Sequence, residues 1–82
     1  MAKVPRLYAD FMNADPWGRI RLNCSGTADS LSSLKLELRE GLPVVVFDCS
    51  LEADAVTAWS EPEQMWVAVI DWKQIRDIGP AS

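Results

Sequence analysis

The chain contains no histidine. Ser-His and Cys-His nucleophilic pairs are therefore excluded, and so is the most readily tuned general base. Two cysteines, Cys24 and Cys49, cannot complete a four-ligand zinc site in one chain without histidine. They read as small buried residues of a reducing cytoplasm, with a disulfide or a reactive thiol as the alternatives. The remaining chemistry-bearing residues are carboxylates. Asp48, Glu52 and Asp54 gather on one stretch and could offer oxygens to a hard cation; an enzyme using Asp48 or Cys49 is the weakest reading. Calcium asks for about six to eight ligands and a loop-sharpening glycine, and this stretch has no glycine, so a solvated acidic loop is expected. Glu61 and Glu63 flank Pro62 at a hairpin tip, where they serve solubility. Gly26 before Thr27 is the nearest approach to a phosphate-cradling loop, which needs several glycines opening a helix. No catalytic residue, metal or cofactor is assigned from these types and spacings.

The aromatic residues carry more. Trp17, Trp59, Trp66 and Trp72 each bring roughly 150–250 Å² of surface, more in sum than one small interior absorbs. Trp66 shares a strand face with Ala68 and Ile70, and Trp72 is expected to close one end of the fold. Trp17, on a turn, and Trp59, at a strand end, are the candidates for exposure. Together with an outward-facing Tyr8 they form the candidate contact surface for a protein partner or a second copy of the chain. Arg19 and Arg21 would set its orientation; the competing reading of both is a solvated strand face.

Charge narrows the partners. Eight basic residues stand against twelve acidic ones, a net charge of −4. Duplex nucleic acid and anionic membranes call for a basic stripe, and none is present. A nucleic-acid- or translation-associated barrel using Tyr8, Arg19 and Arg21 is kept as the alternative. Residues 1–12 have no apolar segment of the kind a signal peptide carries, so the cytoplasm is the expected location.

These residues need elements to hold them. Eighty-two residues make a single domain, and an apolar share of 49% with 24% charged residues suits a globular one. The densest apolar run, Met65 to Trp72, is rich in β-branched and aromatic residues and reads as a strand buried on both faces. Arg6–Phe11 alternates, with Leu7, Ala9 and Phe11 inward. Ile20, Leu22 and Cys24 alternate after the turn at Asp15-Pro16-Trp17-Gly18, where glycine can take positive φ. The two runs are expected to form a hairpin that sets Asp10 opposite Arg21. Thr27 caps a short helix over 27–34, with Asp29 in its first turn and Leu31 and Leu34 facing inward. Leu34, Leu36 and Leu38 then alternate as a strand. Glu40-Gly41 turns the chain into a strand over Leu42–Cys49, with Pro43 at its start. A loop at 50–54 leads to a strand over Ala55–Trp59, and Asp71 caps a helical turn at 72–75. Five to six strands in so few residues indicate a mainly β fold, a small barrel or strongly bent sheet.

The order of these parts resembles an SH3-like barrel. Leu7-Tyr8-Ala9-Asp10-Phe11 looks like the opening strand of that fold, Met12 to Leu36 like its long first loop, and Trp59 to Gln64 like its distal hairpin. The turn at Trp72-Lys73-Gln74-Ile75 sits where such barrels place a one-turn helix. The string Asn13 to Arg19, with Trp66-Val67-Ala68 and Ile70-Asp71-Trp72, is also similar to small bacterial proteins, which implies no activity. The chain lacks the late Pro-Ser-Asn-Tyr stretch of the members that bind proline-rich peptides. What the resemblance implies is a binding or accessory module.

Overall fold

The computed structural model describes residues 4–78. Six strands, one α-helix and one 3-10 turn follow in the order β1 (Arg6–Tyr8), β2 (Ile20–Arg21), α1 (Ser25–Leu34), β3 (Pro43–Phe47), β4 (Leu51–Ser60), β5 (Met65–Ile70), the 3-10 turn Trp72–Gln74 and β6 (Arg76–Asp77). The sheet runs β1-β3-β4-β5-β2, and β6 joins β4 off that path. The result is a mainly β, curled half-barrel. β4 is its spine. Its ten residues pair with β3 on one edge, and with β6 and then β5 on the other.

The core lies on the concave face. Leu7, Val44, Val46, Ala53, Ala55 and Ala68 point into it from four strands, and Ile20, Phe11 and Leu22 come from the segments around β2. Of these, the period-two pattern predicted Leu7, Phe11, Ile20 and Leu22 as inward, whereas Ala53 falls in the stretch expected to be a loop. The run over β5 is less enclosed than expected. Val67 and Ala68 are fully buried on opposite faces, but Val69 is exposed.

The pairing of β1 corrects the sequence reading. It forms no hairpin with β2. It runs parallel to β3, Leu7 beside Val46 and Tyr8 beside Phe47, while β2 joins β5 with Ile20 beside Ala68. A parallel pair needs a crossover, and the segment through α1 supplies it. The helix also covers the free edge of β1: Ser30 Oγ accepts from the Tyr8 N–H, and the Thr27 hydroxyl donates to the Tyr8 carbonyl. At Tyr8 the edge of β1 is therefore closed to another chain.

Thr27 is thus not the helix cap. The helix starts at Ser25 with Cys24 in the cap position, and Thr27 is fully buried one turn in. Asp29 lies beyond the first turn, and Leu31 packs on the core while Leu34 is exposed. The helix ends where Lys35 enters the left-handed region at φ 52°, its N–H donating to Ser32 and that of Leu36 to Leu31. The expected strand over 34–38 is therefore absent. Leu36 and Leu38 still lean on the core, but β3 already has β1 and β4 on its two edges and cannot take them as a neighbour.

The turns fall where expected. Gly18 and Gly41 take φ of 82° and 75°, and Asp71 accepts from the Lys73 N–H at 3.0 Å to cap the 3-10 turn. The loop expected at 50–54 belongs to β4 instead. Only a tight turn at 48–50 remains, held by Asp48 Oδ1 accepting from the N–H groups of Ser50 and Leu51. No helix is long and apolar enough to cross a membrane among the described residues.

Candidate functional site

The segment from Phe11 to Arg21 is the most constructed surface feature of the molecule. Asp15 opens it. Its Oδ1 accepts from the N–H groups of Trp17 at 3.0 Å and Arg19 at 2.8 Å, and its Oδ2 accepts from Arg19 Nε at 2.8 Å. Backbone bonds from Asp15 N to Arg19 O and from Gly18 N to Asp15 O close the turn. Burial pushes the Asp15 carboxyl up, but the Arg19 and Trp17 N–H groups and the Arg19 guanidinium outweigh it and hold the pKa below the ordinary value of 3.8. Arg19 then reaches Ser60 Oγ on β4 and lies over the Trp17 ring, 5.2 Å from its centroid.

Arg21 is also committed. Its Nε and Nη2 donate to the two carboxylate oxygens of Glu63, each at 2.8 Å, and its Nη1 donates to Asn13 Oδ1 and the Ala14 carbonyl. The fork geometry is a strong one. It holds Glu63 below the usual carboxylate range, chiefly through the side-chain bonds from Arg21. Asp10, expected opposite Arg21, instead accepts from the Met12 N–H. Both arginines brace this segment against the β4–β5 hairpin.

Indole rings flank the turn. Trp17 is 59% exposed and Trp72 46%, and Met12 is almost wholly exposed. Trp72 does not close an end of the fold as a buried plug. Its Nε1 donates to the Gly18 carbonyl at 2.6 Å, and its ring meets Phe11 edge-on at 6.4 Å. A Cβ on Gly18 would fall 3.3 Å from that Nε1, so the glycine serves both the turn and the approach of the ring. Trp17 and Trp72 are thus exposed on the two sides of Gly18, with the buried Phe11 backing the Trp72 ring.

The other expected contact residues lie elsewhere. Trp59 sits near the far end of β4, pairs with Trp66 across the ladder and meets its ring at 5.3 Å. It is 37% exposed, with Nε1 donating to Glu61. Tyr8 belongs to the opposite corner of the sheet. It pairs with Phe47, whose partner Glu52 stands near the start of β4, whereas Trp59 stands near its end. The Tyr8 ring packs edge-on against Phe47 at 5.7 Å and over Gly26, and it is half-buried. Desolvation first, then the charges of Cys49, Asp10, Asp48 and Cys24, push its hydroxyl pKa up. The structure joins Trp17 with Arg19 and separates Tyr8 from Trp59. Trp72 is an exposed ring that the sequence reading left out of the contact surface, and only the fold reveals its link through Gly18.

The acidic and cysteine residues have structural occupations. Glu52 accepts from Arg76 at 2.7 Å and Arg6 at 2.9 Å, which hold it below the usual carboxylate range, Arg76 foremost. Asp54 takes Arg76 at 3.2 Å. Both cysteines are free; Cys24 is half-buried, with Sγ 3.1 Å from Thr27 Oγ1, and Cys49 is exposed rather than buried. Among the described residues no buried side-chain nitrogen or oxygen lacks a partner.

Compared with protein-family models, with curated proteins and with solved structures, the chain matches none.

Proposed function

We propose that this protein is a small non-catalytic binding or accessory module that engages a protein partner, or a second copy of itself, through an aromatic surface centred on Trp17 and Trp72. The observation that carries this reading is the exposure of two indoles, Trp17 on the turn braced by the buried Asp15 carboxylate and Trp72 bonded to the Gly18 carbonyl of that turn. Exposed large rings lose their water on contact, and the Trp72 ring, held by the Gly18 carbonyl, and the Trp17 ring, under the Arg19 guanidinium, lose little side-chain entropy on docking. Met12 extends the apolar area, and Trp59 is a separate exposed ring near the hairpin tip.

Internal pairing of Arg19 and Arg21 supports a protein partner over a nucleic acid. Their charge is already matched by Asp15 and Glu63, and the net charge of −4 opposes phosphate. An SH3-like barrel is part of the same proposal, supported by the 3-10 turn Trp72–Gln74 leading into β6. A reducing cytoplasm is proposed as its location, supported by the two free cysteines.

The test is solution mass against concentration for the wild type and for Trp17→Ser, a change at an exposed ring outside the core. If the partner is a second copy, the wild type dimerises and Trp17→Ser weakens the dimer by roughly tenfold or more. If the wild type stays monomeric, the partner is another protein, and cross-linking through a photoreactive group at Met12 must give Trp17-dependent adducts. Association that is the same in Trp17→Ser as in the wild type overturns the reading.

A further inference from the structure

A second surface, away from the Trp17 turn, has the makings of a ligand site. Val4, Pro5, Leu34, Leu36 and Leu42 line an open groove of about 580 Å³, with Arg39 at its lip. That volume falls within the range of sites for small molecules, roughly 300–1,000 Å³. Two of the lining side chains, Val4 and Leu34, stay about half exposed at 50% and 48%, although Leu42 at its floor belongs to the core. Burying such side chains is favourable, and no segment among the described residues does it.

The charge of the groove is opposite to that of the molecule. No acidic residue lines it, although acids outnumber bases in the chain. Arg6 also lines it, but its guanidinium is committed to Glu52 Oε1 and lies over the Phe47 ring. Arg39 differs. Its carbonyl accepts from the Thr57 hydroxyl, while its guanidinium forms no ion pair among the described residues. A free guanidinium beside an apolar trough complements one ligand chemistry, an anionic head on an apolar tail. At the outward edge of β1 the Tyr8 N–H and carbonyl are taken by Ser30 and Thr27.

We propose that the groove between β1, the end of α1 and the segment 36–42 binds an apolar-tailed carboxylate, with the tail on Leu34, Leu36 and Leu42 and the head on Arg39. This site is independent of the Trp17 surface. The probe is decanoate, titrated into the full-length wild type and followed residue by residue in amide proton–nitrogen spectra. Saturable shifts are expected around residues 4–6 and 34–42, with the Trp17 and Trp72 indole signals unmoved. Arg39→Gln should weaken decanoate roughly fivefold, Leu34→Ser should weaken it through the tail, and Lys73→Gln should leave it unchanged. A decyl chain with a quaternary ammonium head should bind the wild type more weakly than decanoate. The proposal fails if the shifts centre on Trp17, if Arg39→Gln binds as the wild type does, or if the cationic analogue binds equally well. It also fails if an acidic, leucine-containing peptide occupies the groove while decanoate does not.

Discussion

Replacing Asp15 by asparagine removes one charge and almost no volume, and its consequences can be followed atom by atom. The carboxylate is fully enclosed and accepts three hydrogen bonds, two from backbone N–H groups and one from Arg19 Nε. An amide oxygen in the Oδ1 position can keep both backbone bonds. The amide nitrogen then faces Arg19 Nε–H, donor against donor, and Arg19 loses its counter-charge. Breaking a buried pair from one side costs roughly 3–5 kcal/mol. Arg19 retains 23% exposure and can recover water, so about 2–3 kcal/mol is expected here. For a domain of this size that corresponds to a fall in Tm of roughly 10–20 °C. Urea unfolding at neutral pH measures it directly. The pH dependence adds a second check. Because the folded pKa of Asp15 is depressed, its contribution is full above the ordinary value of 3.8 and is lost as pH falls through the folded value. The gap between wild type and Asp15→Asn must therefore narrow in acid. A loss below about 0.5 kcal/mol at neutral pH, within the usual range for surface changes, or a gap that widens in acid, would refute the view that this carboxylate organises the turn.

Three further outcomes test the fold around the site. Thr27→Val keeps the shape but leaves the Tyr8 carbonyl without its donor, and should cost about 1–3 kcal/mol, whereas Thr27→Ser, which keeps the hydroxyl, should cost less; equal losses in urea unfolding would refute the role of the hydroxyl. Gly26→Ala would place a Cβ 2.4 Å from Tyr8 Cδ1 and should destabilise by about 1–3 kcal/mol. Most of that loss should disappear in a Tyr8→Ala background, and simple additivity would count against the contact. Cys49, exposed, should react with an aromatic disulfide reagent faster than Cys24, which is half-buried beside Thr27; equal rates by peptide mapping would contradict that arrangement.

What was legible from the amino acids alone was local. Alternation marked Leu7, Ala9, Phe11, Ile20 and Leu22 as inward, and they are all buried; for Leu7 and Ile20 the reason is that a strand's two faces repeat every second residue, while Ala9, Phe11 and Leu22 lie beyond the strand ends. Gly18, Gly41 and Asp71 marked turns and a cap, since backbone sterics and short polar side chains act within a few residues. The mainly β class followed from counting such segments. Partners were another matter. Every strand offers the same N–H and C=O groups along its edges, so alternation cannot say that β1 lies parallel to β3 or that the leucines at 34–38 find no ladder. The same applies to charge: Arg21 met Glu63 rather than Asp10, and Glu52 met Arg6 and Arg76, through contacts between residues far apart in the chain. Four tryptophans in so short a chain announced a surplus of apolar surface. Only the tertiary structure could place Trp72 beside Gly18 and set Tyr8 at the opposite corner from Trp59, because exposure depends on which distant segments the folded sheet brings over each ring.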